Sequence, residues 1–225
     1  MKKTLLIVAL LLVLIAGGTL DTKAEETFEL AEPLAGMSEN GSQWVLPHFA
    51  GQSDAWAAIN EYYRLLADEL AFAETVQSTG FEIVHHSQRY VSIVRTIREM
   101  GGNGEYEFLV ADTFALDGIY AGQKLSLSQV LGMEENQESL STSQLVWNLV
   151  WQIAVQEAEN PQSAYLDGIT MQEVQNAFWP ESDFYLDADG NIVFWIAPGE
   201  VAGEMAGVLL FPFAPGELMS AIGEG

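Results

Sequence analysis

The run Phe81-Glu82-Ile83-Val84-His85-His86-Ser87-Gln88-Arg89-Tyr90-Val91-Ser92-Ile93-Val94-Arg95-Thr96-Ile97 decides the fold class. It is rich in β-branched and aromatic residues, and Ser87-Gln88 interrupts it as a turn, so two antiparallel strands are expected, 81–86 and 90–97. Immediately upstream the period changes. Trp56, Ile59, Tyr63, Leu66, Leu70 and Ala73 recur at steps of three and four, the spacing of one buried helix face, from a cap at Ser53 or Asp54 to about Val76. A Gly101-Gly102-Asn103-Gly104 break precedes a third strand, Tyr106 to Ala111. Helix followed by antiparallel meander makes this part an α+β unit.

Toward the C-terminus a second unit is expected from Asp112. Phe114 to Asp117 and Gln123 to Leu127 flank a turn and read as a hairpin, followed by a helical turn from Ser128 to Gly132. Ser141-Thr142-Ser143-Gln144 and Thr170-Met171-Gln172-Glu173 have the form of capping boxes, each opening a helix. Phe184 to Leu186 and Ile192 to Ile196 are strands, Gly207 to Phe213 a last strand, and Glu217 to Ile222 a terminal helical turn. The expected architecture is α+β: antiparallel sheets with packed helices in two small consecutive domains, 44–111 and 112–225. Residues 25–43 hold Pro33, Gly36, Asn40 and Gly41 without a sustained period and read as a linker.

The N-terminus begins Met1-Lys2-Lys3-Thr4 and continues as an uncharged apolar run from Leu5 to Ala16. A short basic segment before an apolar stretch of this length is the pattern of a secretory signal or anchor, covering residues 1–24. Thr22-Lys23-Ala24 presents small residues for cleavage before Glu25. The protein is therefore expected to be exported: secreted, periplasmic or attached to the cell envelope, touching the membrane only through this segment if it is uncleaved. The chain has no cysteine. That excludes lipid attachment at a cleavage-site cysteine, disulfides, a thiolate nucleophile and cysteine-based metal sites.

The chain holds 32 acidic and 8 basic residues. Taking away Asp21, Lys2, Lys3 and Lys23 with the first 24 residues leaves 31 acids against 5 bases, a net charge of −26. Such a surface repels nucleic acid, which is bound by neutralising phosphates. It attracts cationic partners and equally serves solubility. Arg89, Arg95 and Arg98 cluster in sequence, and pairing with carboxylates is their expected role, with a small anion site as the sharper alternative.

Most catalytic chemistry finds no motif. Asp187, Asp189 and Asn191 resemble the opening of a calcium loop, but Ile192 and Pro198 stand where the glycine and the closing glutamate belong. A hairpin turn explains that segment better. His85 and His86 are adjacent and point to opposite faces of a strand, so they do not chelate one metal together. No nucleophile elbow, phosphate-binding glycine loop or zinc-protease motif occurs. No cofactor or metal is expected, and no catalytic residue is assigned.

One stretch carries more specific information. Phe184-Tyr185-Leu186-Asp187-Ala188-Asp189-Gly190-Asn191-Ile192-Val193-Phe194-Trp195-Ile196 runs into Ala197-Pro198-Gly199-Glu200-Val201-Ala202, then Gly207 and an apolar strand. It resembles the C-terminal signature of an extracytoplasmic domain family of unknown activity, found in the sensor region of the RsiV anti-sigma factor and the non-catalytic part of the peptidoglycan deacetylase PdaC. The Lys124-to-Leu131 segment resembles the start of that domain. The stretch from Pro47 through Ile59-Asn60 to Val94 resembles the smaller domain that accompanies it. Gly199 stands where the family has an aromatic, and Gly203-Glu204 replaces a bulkier pair.

The resemblance implies a non-catalytic binding or sensory protein of the bacterial envelope, directed at a cationic protein such as lysozyme or at a cell-wall glycan. Glu200 and Glu204 are the candidate partner-facing residues; the bland role for their motif is a fold determinant. With four residues before the apolar run, no cytosolic sigma-binding domain is expected, and deacetylase motifs are missing. A carboxylate-dependent hydrolase of cell-wall sugars and a structural envelope protein without a ligand are the alternatives.

Overall fold

The computed structural model describes residues 28–74, 76–101, 104–133, 138–160 and 162–223. The export segment read at residues 1–24 lies outside the described residues. Among the described residues no helix is long and apolar enough to cross a membrane.

The fold is α+β, as the periodicities require. Helix α1 (Asp54–Ala71) starts at Ser53, whose side chain accepts the Trp56 N–H. It lies across a five-stranded sheet in the order β1 (Leu34–Met37), β2 (Gln43–Leu46), β3 (Val76–His86), β4 (Tyr90–Gly101), β5 (Gly104–Ala115). All neighbours are antiparallel except β2 and β3, which run parallel. Along β4, alternation sends Val91, Ile93, Arg95 and Ile97 toward α1 and Ser92 to the other face. Leu46, Ile59, Tyr63, Val91, Ile93 and Phe114 are buried between helix and sheet. Each large apolar side chain there contributes roughly 1.5–3 kcal/mol.

The second unit packs helices on a three-stranded antiparallel sheet, β6 (Phe184–Leu186), β7 (Ile192–Ile196) and β8 (Leu209–Phe213). Its helices are α2 (Leu127–Val130), α3 (Glu138–Ala158), α4 (Met171–Ala177) and α5 (Pro215–Gly223). Val146, Val150, Val174, Phe194, Phe211 and Leu218 meet in its core. Every residue of β7 is buried, so it reads as a continuous apolar run rather than an alternating one.

Three expectations need correction. The linker proposed for residues 25–43 includes β1, which pairs antiparallel with β2, and an upstream backbone contact in which Ala31 N–H donates to His48 C=O. The break at Asp112 falls inside β5, a single strand from Gly104 to Ala115. Asp112 is polar but buried, and so imitates a boundary. Ser141 does not open α3, which is already helical at Glu138. The hydroxyl of Thr142 contacts Met133 Sδ at 3.7 Å instead of a free helix N–H. Antiparallel pairing dominates both sheets, as expected, and α1 provides the crossover that the one parallel pair, β2–β3, needs.

Candidate functional site

A buried polar node lies between α1 and the first sheet. Ile93 is the register partner of Asp112, so Arg95, two residues along β4, reaches the carboxylate diagonally. Arg95 Nε donates to Asp112 Oδ2 at 2.8 Å and the Tyr63 hydroxyl to the same oxygen at 3.1 Å. Lys124 Nζ and the Tyr62 hydroxyl donate to Oδ1 at 2.8 and 3.0 Å. The Asp112 side chain is 0% exposed and that of Lys124 33%.

Burial opposes ionisation of Asp112, but the charges and hydrogen bonds of Arg95 and Lys124 outweigh it and hold the carboxyl below the ordinary range. Burial first, then the Asp112 charge, pushes both tyrosine hydroxyls well above theirs. Four donors occupy the lone pairs a carboxylate offers. The node therefore fixes α1 to the sheet and has no acceptor to spare for a substrate proton.

The same pattern extends to the other cations. Arg64 bonds Glu61 and Asp68, and Arg98 bonds Glu107. Among the described residues Arg89 forms no ion pair and instead lies over the Tyr90 ring, 5.4 Å from its centroid. The arginines clustered in sequence are thus spread over three environments, and they do not converge on one anion. Four of the five basic residues beyond residue 24 are committed to carboxylates inside the chain.

His85 and His86 diverge as expected. A register shift between Ile83 and His85 turns His85 toward the second unit, where Nδ1 meets the Asp187 carbonyl oxygen at 2.7 Å. His86 packs against Phe28 and Trp56. Asp187 closes its own turn by accepting the N–H groups of Asp189 and Asn191 and the Asn191 side-chain amide, each at 2.9 Å. Those bonds hold its carboxyl below the ordinary range against the effect of burial. The segment is a hairpin turn. Among the described residues no group of three potential ligands could hold a metal.

The signature segment folds as an anchored turn. Glu200 is exposed while Val201 and Ala202 are buried. Glu204 opens a short 3-10 turn (Glu204–Ala206), and its side chain lies outside the described residues. Gly199 has φ +87°, a conformation that disfavours any side chain and accounts for the glycine in place of an aromatic. Neither Gly203 nor Gly207 serves a close backbone approach: nothing lies within 4 Å of a Cβ built at either.

Concavity appears one step away. Tyr165 bridges Ala202, Leu166 N–H donates to Val201 C=O and Gly203 N–H to Ala164 C=O. Asp167 lies on the rim of a hollow of about 350 Å³ at the C-terminal end of α3. Trp151, Val155, Ala158 and Ile169 supply its apolar walls, with Glu159 and Gly168 beside Asp167. No sequence motif pointed to it, because α3 and residues 167–169 meet only through the fold. It can take an apolar body whose polar end is positive.

No family model matches the chain, and no curated protein matches it. Among solved structures it is similar to a crystal structure of a DUF3298-family member from Bacteroides fragilis, at 9% identity over 86% of this chain and 97% of that one, with a TM-score of 0.43.

Proposed function

We propose that this chain is a non-catalytic, extracytoplasmic binding or sensory protein of the bacterial cell envelope whose ligand is cationic. The observation that carries the reading is the internal use of its cations. Arg64, Arg95, Arg98 and Lys124 are each paired with a carboxylate of the same chain. The formal net charge of −24 is therefore expressed as carboxylates that mostly lack cationic partners. Such a surface repels anions and draws positive proteins into encounter. The resemblance of residues 184–207 to the RsiV and PdaC domain family supports the envelope setting, as does the basic-then-apolar opening of residues 1–24.

A lysozyme-like protein is the partner that fits both the charge and the resemblance, with a cell-wall glycan as the other candidate. Titration against several c-type lysozymes and against peptidoglycan fragments, at low and high ionic strength, tests this. Lysozyme binding that weakens steeply as salt rises is the expected result, because screening acts over about 10 Å at 0.1 M. Binding to neither class at low ionic strength overturns the proposal. Glycan binding insensitive to salt keeps the envelope role and removes the cationic protein.

A further inference from the structure

We propose that the hollow at the C-terminal end of α3 receives a single lysine or arginine side chain, an inference that rests on the cationic-partner reading above. Its size is at the small end of ligand pockets, which run from about 300 to 1,000 Å³. The side chains of the walls supply carbon and no spare donor. The indole N–H of Trp151 is committed to the Ile169 carbonyl at 2.9 Å, and Val155, Ala158 and Ile169 have no side-chain polar atom. A sugar's hydroxyls would meet acceptors at Glu159 and Asp167 but no free side-chain donor among the lining residues. Lysine and arginine carry a long apolar stem behind a charged head, which is the shape this surface complements.

The electrostatics around the hollow have one sign. Glu159 and Asp167 are exposed on its rim and enter no ion pair among the described residues. The last turn of α3 contains no basic residue, so the negative end of its dipole stands without a compensating charge. A cationic head arriving along the apolar wall meets acceptors at its end.

The probe is trilysine, with fully acetylated trilysine as its uncharged counterpart, titrated against the protein while the Trp151 indole resonance is followed by NMR. Trilysine is expected to shift that resonance saturably and the acetylated peptide to leave it unmoved. Glu159→Gln with Asp167→Asn should weaken binding about tenfold, whereas Glu32→Gln with Glu69→Gln, the same charge change elsewhere, should weaken it less than about twofold. Ala158→Phe fills the hollow while keeping every charge and should also cost about tenfold. Equal losses from the two carboxylate pairs, or full binding by Ala158→Phe, overturn the pocket while leaving an acidic binding surface intact. Failure of trilysine to bind the unaltered protein at low salt overturns both. Should Ala158→Phe misfold, the exposed rim variants decide the matter alone.

Discussion

His85 Nδ1 lies 2.7 Å from the carbonyl oxygen of Asp187, 102 residues further along the chain, and this contact ties the first sheet to the turn of the second. A carbonyl only accepts, so the bond requires the proton on Nδ1. The tie is seconded from β4, where Ser92 is the register partner of His85. Ser92 Oγ is buried, lies 2.8 Å from Thr113 Oγ1 and accepts the Leu186 N–H at 3.1 Å. Ser92→Ala leaves that buried N–H without its partner and is expected to cost about 1–3 kcal/mol, against about 1 kcal/mol for the half-buried His85→Ala. Urea unfolding measures both, and faster hydrogen exchange at Leu186 would place the loss at the junction.

The Asp112 node makes an asymmetric demand on its members. Asp112→Asn keeps the shape but leaves Arg95 and Lys124 without a counter-charge, and breaking a buried pair this way costs about 3–5 kcal/mol. Lys124→Met leaves a balanced Arg95–Asp112 pair, and the lysine is one-third exposed, so its loss is expected to cost about 1 kcal/mol. The order is the test. Chemical denaturation showing Lys124→Met as damaging as Asp112→Asn would contradict the node as described.

His86, exposed yet packed against Phe28 and Trp56, is expected to give the fold a modest pH dependence near neutrality. Burial, and then the neighbouring His85 charge, lowers its pKa, and its ring packs 4.5 Å from Phe28 and 6.3 Å from Trp56 between centroids. A depressed histidine binds fewer protons folded than unfolded, so its contribution is complete above the unfolded value of about 6.5 and is lost as pH falls through the folded one. The melting temperature should therefore drop between pH 7.5 and pH 5, and His86→Phe should flatten that drop. The carboxyl of Asp112, also depressed, acts in the same direction but in a more acidic window, below its unfolded value of about 3.9.

Local chemistry was legible and long-range chemistry was not. β6 and β7 were readable to the residue, because an apolar run bounded by Asp187-Ala188-Asp189-Gly190-Asn191 states both strands and their turn. The Ser53 cap and the Thr170 capping box also stand where the side chains imply, since a cap bonds its own first turn. β1 was hidden. Its Gly36 reads as a breaker, yet a Cβ there would come within 2.2 Å of the Trp44 ring, so the glycine makes room for a neighbour on β2. Asp112 was hidden for a related reason: its partners Tyr62, Tyr63 and Arg95 come from other elements, and an isolated aspartate looks like a turn. The α3 hollow depends on the meeting of two segments and leaves no trace in either. Glu200 stands in a family pattern, and the fold leaves it exposed beside the buried Val201 and Ala202.

The glycines of the signature segment separate backbone need from packing need. Gly207 has φ +71° and ψ −165°, a region essentially closed to other residues, and Gly199 has φ +87°. Gly203 has an ordinary φ of −60° with open space around its Cβ direction. Gly207→Ala is therefore expected to cost about 1–3 kcal/mol. Gly199→Ala should cost about 1 kcal/mol. Gly203→Ala should be neutral or stabilising by up to about 1 kcal/mol, because it restricts only the unfolded chain. Thermal melts of the three variants test the order. If Gly203→Ala proved the most damaging, the segment would be using that glycine for a close contact, and the open space around its Cβ direction would be wrong.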